Sequence, residues 1–344
     1  MTQETTGTLK RPRVTDEGLR NITSALMGFP AILVAHELRL FAFLAPGPRS
    51  VAEVAQKVQL RPRAAETILD VATAAGFLSC KDQHYGLTPL SEDYMLEGSP
   101  TYWGHYLDYM IQADLYSLTS IRKALTGPEP QHSGGTEIFD THEEDERKAE
   151  RFARWMHSLS MAPALAWPSE MDLSGHQHMI DVAGGSGAHT IGALDRWSHL
   201  RSTLLDRPAV LGVAREMIAA RQLTERARVQ SFDMWKDPFP EGDLHFYSQI
   251  FHDWNLERCG VLATKSFAAL PSGGRIIVHE LLPNEDGTGP FRVVAINVVL
   301  CLLYSGGRQH GIGDLRRTLE SAGFRDIEVK RTFDEWGIVT GRKP

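Results

Sequence analysis

Apolar residues recur with a helical spacing in the first hundred residues of this chain and as short strand-like runs in its second half. Within the first hundred residues they return every three to four positions, as on one face of a helix. The recurring residues are Ile22, Leu26, Ile32, Leu33, Leu38 and Leu40. Ser50 then opens a short helix, a polar turn covers residues 59–63, and Gly76 ends a longer helix before an apolar–polar hairpin. This order predicts a helix-turn-helix unit followed by a β wing.

From Gln177 onward, short apolar strands alternate with helical segments. The predicted strands are HMIDVA, STLLD, ARVQSFD, HFYSQIF and GRIIVHELL, followed by the pair DIEVKRTF and WGIVTG. Strands that alternate with helices specify an open, doubly wound, mostly parallel sheet. The predicted fold class is therefore α/β, with a separate helical domain on the N-terminal side of the sheet.

A helical connector rich in aromatic residues and methionine is predicted between these two parts. Phe152 and Met156 lie four positions apart and share one helical face, and Trp155 is close to them. The stripe is compatible with a packed core or with the wall of an apolar pocket, because the same residue types line both. The predicted domains are residues 1–100, 101–168 and 169–344.

Composition narrows the classes of partner and compartment. The 344 residues carry a net charge of −7 with both signs spread along the chain, so we expect no nucleic-acid partner. Cys80, Cys259 and Cys301 lack any paired spacing, which argues against a disulfide framework and fits a reducing cytoplasm. The longest apolar stretch, residues 295–304, is about half of a membrane span, so we expect a cytoplasmic protein without a membrane partner.

The strand HMIDVA leads directly into a glycine-rich turn. Asp181 lies near the end of this strand, and Gly184, Gly185 and Gly187 follow it. Glycines allow the backbone to take positive φ angles and to approach a ligand at the start of a helix. Asp206 ends the next strand, where a carboxylate can accept hydrogen bonds from both ribose hydroxyls. Together these features predict a nucleotide-like ligand, either a dinucleotide or an adenosyl sulfonium.

Further polar residues follow the later strands, and a histidine is the candidate catalytic base. Ligands of such sheets bind beyond the carboxyl ends of the strands, where Asp233, His252 and Glu280 are expected. An imidazole with the ordinary pKa of about 6.5 is neutral at pH 7 and can take a proton from an acceptor hydroxyl. Glu280 would orient this imidazole through its other nitrogen.

An ordered set of motifs extends over nearly the whole chain. These motifs are DVAGGSG, LLDRP, FDMW, IFHDW, GGRIIVHE, SGGRQ and SAGF. In this order they resemble the class I S-adenosylmethionine-dependent small-molecule O-methyltransferases of plant type and of bacteria. That family joins an N-terminal winged-helix dimerisation domain to a Rossmann-like catalytic domain. The resemblance implies S-adenosyl-L-methionine as the cofactor, a small-molecule acceptor of secondary metabolism, and a homodimer formed through the N-terminal domain.

The same resemblance implies roles for individual residues. The implied cofactor-binding residues are Asp181, Gly184, Gly185, Ser186, Asp206, Arg207, Asp233, Met234, Ser248 and Trp254. The implied catalytic residues are His252, Glu280 and Asp253. The expected acceptor pocket consists of Phe152, Trp155, Met156, Asn297, Cys301, Tyr304 and Gln309. At two positions the chain departs from the family, because many relatives have lysine in place of Ser248 and a second glutamate in place of Gln309.

One alternative keeps the fold and changes the acceptor. The stretches YSQIFHDW, GGRQ and WGIVTGRKP are similar to bacterial enzymes that methylate the β-carbon of an α-keto acid with the help of a metal. His252 and Asp253 would then be metal ligands, with His279 or His310 as the second histidine. O-methylation needs no metal, because the sulfonium itself activates the methyl group.

Two further alternatives concern the class of protein. The winged helix is typical of DNA-binding regulators, but the charge of residues 61–70 is balanced, whereas a DNA reader needs net positive charge. A protein of this fold can also bind the cofactor without transferring its methyl group. We therefore expect an O-methyltransferase and keep these alternatives for comparison with the structure.

Overall fold

The computed structural model describes residues 12–113, 116–127, 146–304 and 306–344. Ser305, the first residue of the SGGRQ motif, lies outside these ranges. The chain divides into two compact units, Met1–Leu107 and Asp108–Pro344. Most of the connector predicted over residues 101–168 therefore falls into the second unit.

The first unit consists of helices and a small antiparallel sheet. Its helices are α1 (Glu17–Glu37), α2 (Leu40–Leu44), α3 (Val51–Lys57), α4 (Pro62–Ala74) and α5 (Pro89–Tyr94), and its strands are β1 (Arg49–Ser50), β2 (Leu78–Lys81) and β3 (His84–Leu87). The strands pair in the order β1-β3-β2. Ser50 begins α3 as predicted, because its side chain accepts from the Glu53 backbone while Glu53 accepts from the Ser50 backbone. The helix-turn-helix with its β wing is confirmed.

Helix α1 is apolar but mostly exposed. Only Ile32 and Ala35 of this helix are buried, whereas Leu19, Ile22 and Leu26 are exposed to 72%, 59% and 74%. By length and composition alone α1 would suffice to cross a membrane. The apolar residues of α1 are spread between polar ones, which is why the longest apolar stretch expected from the sequence lies elsewhere, at residues 295–304. An exposed apolar patch of this kind marks an interaction surface.

The second unit is built on a seven-stranded sheet. Its strands are β4 (His178–Val182), β5 (Arg201–Asp206), β6 (Ala227–Ser231), β7 (Leu244–Ser248), β8 (Arg275–Leu281), β9 (Arg325–Phe333) and β10 (Trp336–Arg342). They lie in the order β6-β5-β4-β7-β8-β10-β9. The first five are parallel, and β10 pairs antiparallel with both β8 and β9. The predicted mostly parallel α/β sheet is confirmed.

Helices cover this sheet on both faces. The helices described from residue 104 onward are α6 (Gly104–Gln112), which begins in the first unit, α7 (Leu118–Thr126), α8 (Glu146–Ala166), α9 (Ala188–Arg196), α10 (Leu211–Ala220), α11 (Leu256–Ala269), α12 (Phe291–Leu303) and α13 (Ile312–Ser321). Successive side chains of a strand point to opposite faces. Met179 of β4 therefore packs in one apolar layer with Ile191 of α9, and Ile180 packs in the other with Leu262 of α11. The carboxyl ends of the parallel strands meet at one edge between these layers.

Candidate active site

The turn between β4 and α9 is shaped by glycine. Gly185 and Gly187 have φ angles of 56° and 82°, in the left-handed region that favours glycine. A Cβ atom on Gly184 would lie 2.7 Å from the Asp181 carboxyl carbon, whereas a Cβ on Gly185 would meet no atom within 4 Å. The turn thus packs tightly against the sheet at Gly184 and leaves open space at Gly185.

Asp206 faces this turn from the end of β5. Its two carboxylate oxygens accept hydrogen bonds from the backbone amides of Gly185 and Arg207, each at 2.7 Å. Burial raises the pKa of Asp206 to about 6, although both amides act in the opposite direction. A carboxylate has about four acceptor positions, so each oxygen can accept one more hydrogen bond from a ligand.

Asp181 lies deeper in the sheet than Asp206. The Thr190 hydroxyl donates to Asp181 Oδ2 at 2.7 Å and lies 3.0 Å from the Ser202 hydroxyl. Burial raises the pKa of Asp181 to about 7, the Thr190 hydroxyl opposes this, and Asp206 adds to it. Asp181 therefore supports the start of α9 from inside, and its implied role toward the cofactor stays a prediction.

The residues expected near an adenine ring follow β6. The Asp233 carboxylate accepts from the Trp235 backbone amide at 2.9 Å and pairs with the Lys236 ammonium at 2.9 Å. Partial burial raises the pKa of Asp233, but the Lys236 and Trp235 hydrogen bonds lower it below its usual value. Trp254 is buried and meets the Trp235 ring edge to face at 4.7 Å, and the Met234 carbonyl accepts from Lys265. The role of these residues in adenine binding stays a prediction.

His252 lies between two carboxylates, in a short 3-10 turn after β7. Its Nε2 atom lies 3.1 Å from Asp253 Oδ1, and its Nδ1 atom lies 3.3 Å from Glu280 Oε2. The side-chain nitrogen of Gln309 is 3.0 Å from the same Nδ1 atom. The structure thus brings His252, Asp253, Glu280 and Gln309 together, as the implied roles require.

Glu280 also fixes the loop that carries the histidine. Its Oε1 atom accepts from the backbone amides of Ile250 and Phe251 at 3.1 and 3.0 Å. Its Oε2 atom accepts from the Gln249 side chain at 3.0 Å. Sequence reasoning did not include Gln249, because nothing in the spacing of residues 249 and 280 indicates this contact.

The two carboxylates change the protonation of His252. Burial alone would lower its pKa, but Glu280 and Asp253 outweigh burial and raise the pKa to about 9. The pKa values of both carboxyl groups are also raised, because burial penalises their charge more than His252 stabilises it. At pH 7 a pKa of about 9 favours the protonated imidazole in the free protein, whereas the sequence led us to expect a neutral one.

Aromatic residues extend from this cluster toward α8. The Tyr304 hydroxyl is hydrogen-bonded to Asp253, and Tyr109 is near enough to act on the pKa of Tyr304. The Tyr109 ring stacks on Trp155 at 4.5 Å with an interplanar angle of 7°, and Phe152 meets Trp155 edge to face at 5.2 Å. Tyr109 was absent from the predicted pocket, although it belongs to the same aromatic-rich stretch of sequence.

The remaining predicted pocket residues occupy different environments. Asn297 accepts from the Gln309 backbone amide through its side-chain oxygen at 2.8 Å. Met156 is partly buried on α8, and Cys301 is exposed on α12. Ser248 lies 3.4 Å from the His279 ring. Asn297 is thus linked to the His252 cluster through Gln309, and contact of Met156 and Cys301 with an acceptor stays a prediction.

The geometry does not favour the metal-ligand alternative. Within the residues that the structure describes, no group of three or more His, Cys, Asp or Glu side chains is placed to hold a metal ion. His279 is buried in β8 with Nε2 at 2.9 Å from the Thr332 hydroxyl, and His310 Nε2 lies 2.9 Å from the Trp254 carbonyl oxygen. Both candidate second ligands are thus engaged with other groups.

Comparison with known families agrees with the site. Residues 119–325 match the O-methyltransferase domain, and residues 22–97 match the O-methyltransferase dimerisation domain. The chain therefore belongs to the O-methyltransferase family and is an S-adenosylmethionine-dependent methyltransferase. The predicted family, fold class and cofactor are confirmed, and the dimerisation domain supports a homodimer.

Individual relatives extend over nearly the whole chain. The 3-hydroxy-5-methyl-1-naphthoate 3-O-methyltransferase of Streptomyces sahachiroi is 30% identical over 333 residues, which cover 94% of each chain. The crystal structure of human N-acetylserotonin methyltransferase in complex with S-adenosylmethionine superposes with a TM-score of 0.82 at 26% identity, covering 97% of this chain and 99% of the human one. The L-tyrosine C(3)-methyltransferase of Streptomyces lavendulae is 26% identical and covers 95% of this chain and 93% of its own.

Proposed function

We propose that this enzyme methylates a hydroxyl group of a small aromatic molecule of secondary metabolism, with His252 as the general base. The observation that carries the proposal is the position of His252 between Glu280 and Asp253, beyond the carboxyl ends of the parallel strands. Relatives that act on a hydroxynaphthoate and on acetylserotonin support an aromatic acceptor. The stacked pair Tyr109 and Trp155 offers flat apolar surface of the kind that receives such a ring.

The residues at the glycine turn fit the cofactor. Open space at Gly185 and the free acceptor positions on Asp206 suit a ligand that brings ribose hydroxyls close to the backbone. When bound, S-adenosylmethionine supplies a methyl group that its positively charged sulfur has already activated. The protein then has to hold the two reactants in line and remove the proton of the acceptor.

His252 is suited to remove the proton of a phenol. A phenol has a pKa of about 10, so a base with a pKa of about 9 takes its proton at little cost in free energy. The imidazole must first be neutral, and its neutral fraction increases as the pH rises. After the transfer, Glu280 and Asp253 stabilise the imidazolium from both sides.

The test is a screen of phenols and α-keto acids with protein, S-adenosylmethionine and mass spectrometry. We expect one added methyl group on the oxygen of a phenol, and a loss of about thousandfold or more in kcat for His252→Gln. His199→Gln is the matched control, because His199 is exposed beside the amino-terminal end of β5. Methylation of a keto-acid carbon, or full activity of the His252 variant, would contradict the proposal.

We further propose that the enzyme works as a cytoplasmic homodimer without nucleic-acid or membrane partners. All three cysteines are free thiols, as the reducing cytoplasm requires. On α4, the helix that a DNA reader would use, Arg63 is paired with Glu66 at 2.8 Å. The exposed apolar face of α1 supports self-association, so Leu26→Glu should shift the mass in light scattering from dimer to monomer, whereas Ser24→Glu, at an exposed position on the opposite face of the helix, should not.

A further inference from the structure

Helix α8 reaches the glycine turn through one histidine. The His157 Nδ1 atom lies 2.9 Å from the Ser186 hydroxyl oxygen, within hydrogen-bond distance. Ser186 is 3% exposed and stands between Gly185, whose amide is bonded to Asp206, and Gly187, which begins α9. Ser186 has the only polar side chain of turn residues 183–187, so α8 holds the turn through this side chain, whereas Asp206 holds it through the Gly185 backbone amide.

The helix that carries His157 is itself held firmly. One turn earlier, Arg154 makes two hydrogen bonds with the Glu216 carboxylate of α10, at 2.6 and 3.1 Å. Near its other end α8 packs so closely on α9 that a Cβ atom on Gly192 would collide with the Ala164 carbonyl oxygen. His157 therefore projects from a fixed support and holds Ser186 at little entropic cost.

We propose that His157 is a positioning residue for the cofactor: it holds Ser186 from α8 and keeps the glycine turn in the shape that binds S-adenosylmethionine. This inference rests on the proposed location of the cofactor at Gly185 and Asp206. It also connects the two substrates, because Trp155 of the aromatic stack lies on the same helix, two residues before His157.

Calorimetric titration with S-adenosylhomocysteine tests the proposal without any need for an acceptor. We expect His157→Ala to weaken binding about tenfold, the effect of losing one buried hydrogen bond. His157→Asn should stay within about threefold of the unchanged protein, because an asparagine side chain places a polar atom near the position of Nδ1. Arg151→Ala is the control, since it changes an exposed residue on another face of the same helix without touching the turn, and it should change binding less than about threefold.

A double-mutant cycle separates positioning from general damage to the fold. If His157 acts through Ser186, then Ser186→Ala and the double variant should bind as weakly as His157→Ala, with no further loss. Losses that add, or normal binding by His157→Ala, would overturn the inference. Failure of the unchanged protein to bind S-adenosylhomocysteine would instead overturn the cofactor location on which the inference rests.

Discussion

Two groups of buried carboxylates lie near the carboxyl ends of the parallel strands, and they differ in the groups that they contact. At the glycine turn, Asp181 and Asp206 have only hydroxyl and amide donors, so burial raises their pKa values to about 7 and about 6. Around the base, Glu280 and Asp253 face an imidazole and raise its pKa to about 9. Burial thus favours the neutral form of Asp181 and Asp206, which only uncharged groups contact. Around His252, the two buried carboxylates favour the charged form of the imidazole that lies between them.

The largest effect on catalysis is expected when His252 loses its main carboxylate partner, Glu280. Glu280→Gln should reduce kcat/KM about thousandfold, because the variant loses the charge that stabilises the imidazolium, and its amide nitrogen can no longer accept from the Gln249 side chain. Steady-state kinetics with a methylated acceptor measure this. Glu285→Gln, in the exposed loop after β8, is the matched control and should keep full activity. Equal activity of the two variants would remove Glu280 from the mechanism.

The next effect concerns the carboxylate proposed to hold the ribose. Asp206→Ala should weaken S-adenosylhomocysteine binding about 100-fold, since it removes charged acceptors and also frees the Gly185 amide. For the unchanged protein, binding should weaken as the pH falls through about 6, because Asp206 then gains a proton. Calorimetry at pH 5 and pH 8 measures both effects. A pH-independent affinity would show that the charge of Asp206 is not used.

A smaller effect is expected at Asp181, whose ionisation should change the stability of the fold. The folded-state pKa of Asp181, about 7, lies above the ordinary value of about 3.9, so the folded protein binds more protons than the unfolded chain between these values. Asp181 therefore reduces stability as the pH rises through this window. Asp181→Asn should raise the free energy of unfolding by about 2 kcal/mol at pH 8 and by much less at pH 4, as measured by urea unfolding.

The exposed Asp195 provides the control for this comparison. Asp195→Asn changes the same side chain at a position without comparable burial, so it should leave the free energy of unfolding unchanged at both pH values. If Asp181→Asn behaved like Asp195→Asn, the ionised form of Asp181 would carry no cost in the folded protein.

The smallest change expected is a shift in the pH profile. For the unchanged enzyme, kcat/KM should rise with pH up to about 9, since the base must lose its proton. Asp253→Asn removes one of the two charges that raise the pKa of His252, so the acidic limb should move about one pH unit lower. A limb near the ordinary histidine pKa of about 6.5 in the unchanged enzyme would contradict the effect of the two carboxylates.

The sequence predicted the fold and the strand-end residues because both depend on local patterns. The alternation of apolar strands with helices gives the sheet, and the carboxyl ends of parallel strands bring Asp206, His252 and Glu280 to one edge. The contact of His157 with Ser186 has no such pattern, because it joins residues 29 positions apart, one on α8 and the other in the glycine turn. The raised pKa of His252 was likewise beyond reach, since it depends on distances between side chains.

The double use of Glu280 has a consequence for spectroscopy. One oxygen of this carboxylate accepts from the Ile250 and Phe251 amides, while the other faces the imidazole. Any change in charge at the base must therefore alter the electric field at these two N–H groups. Their proton and nitrogen chemical shifts should follow the titration of His252, which makes the backbone itself an indicator of the catalytic proton in the unmodified enzyme.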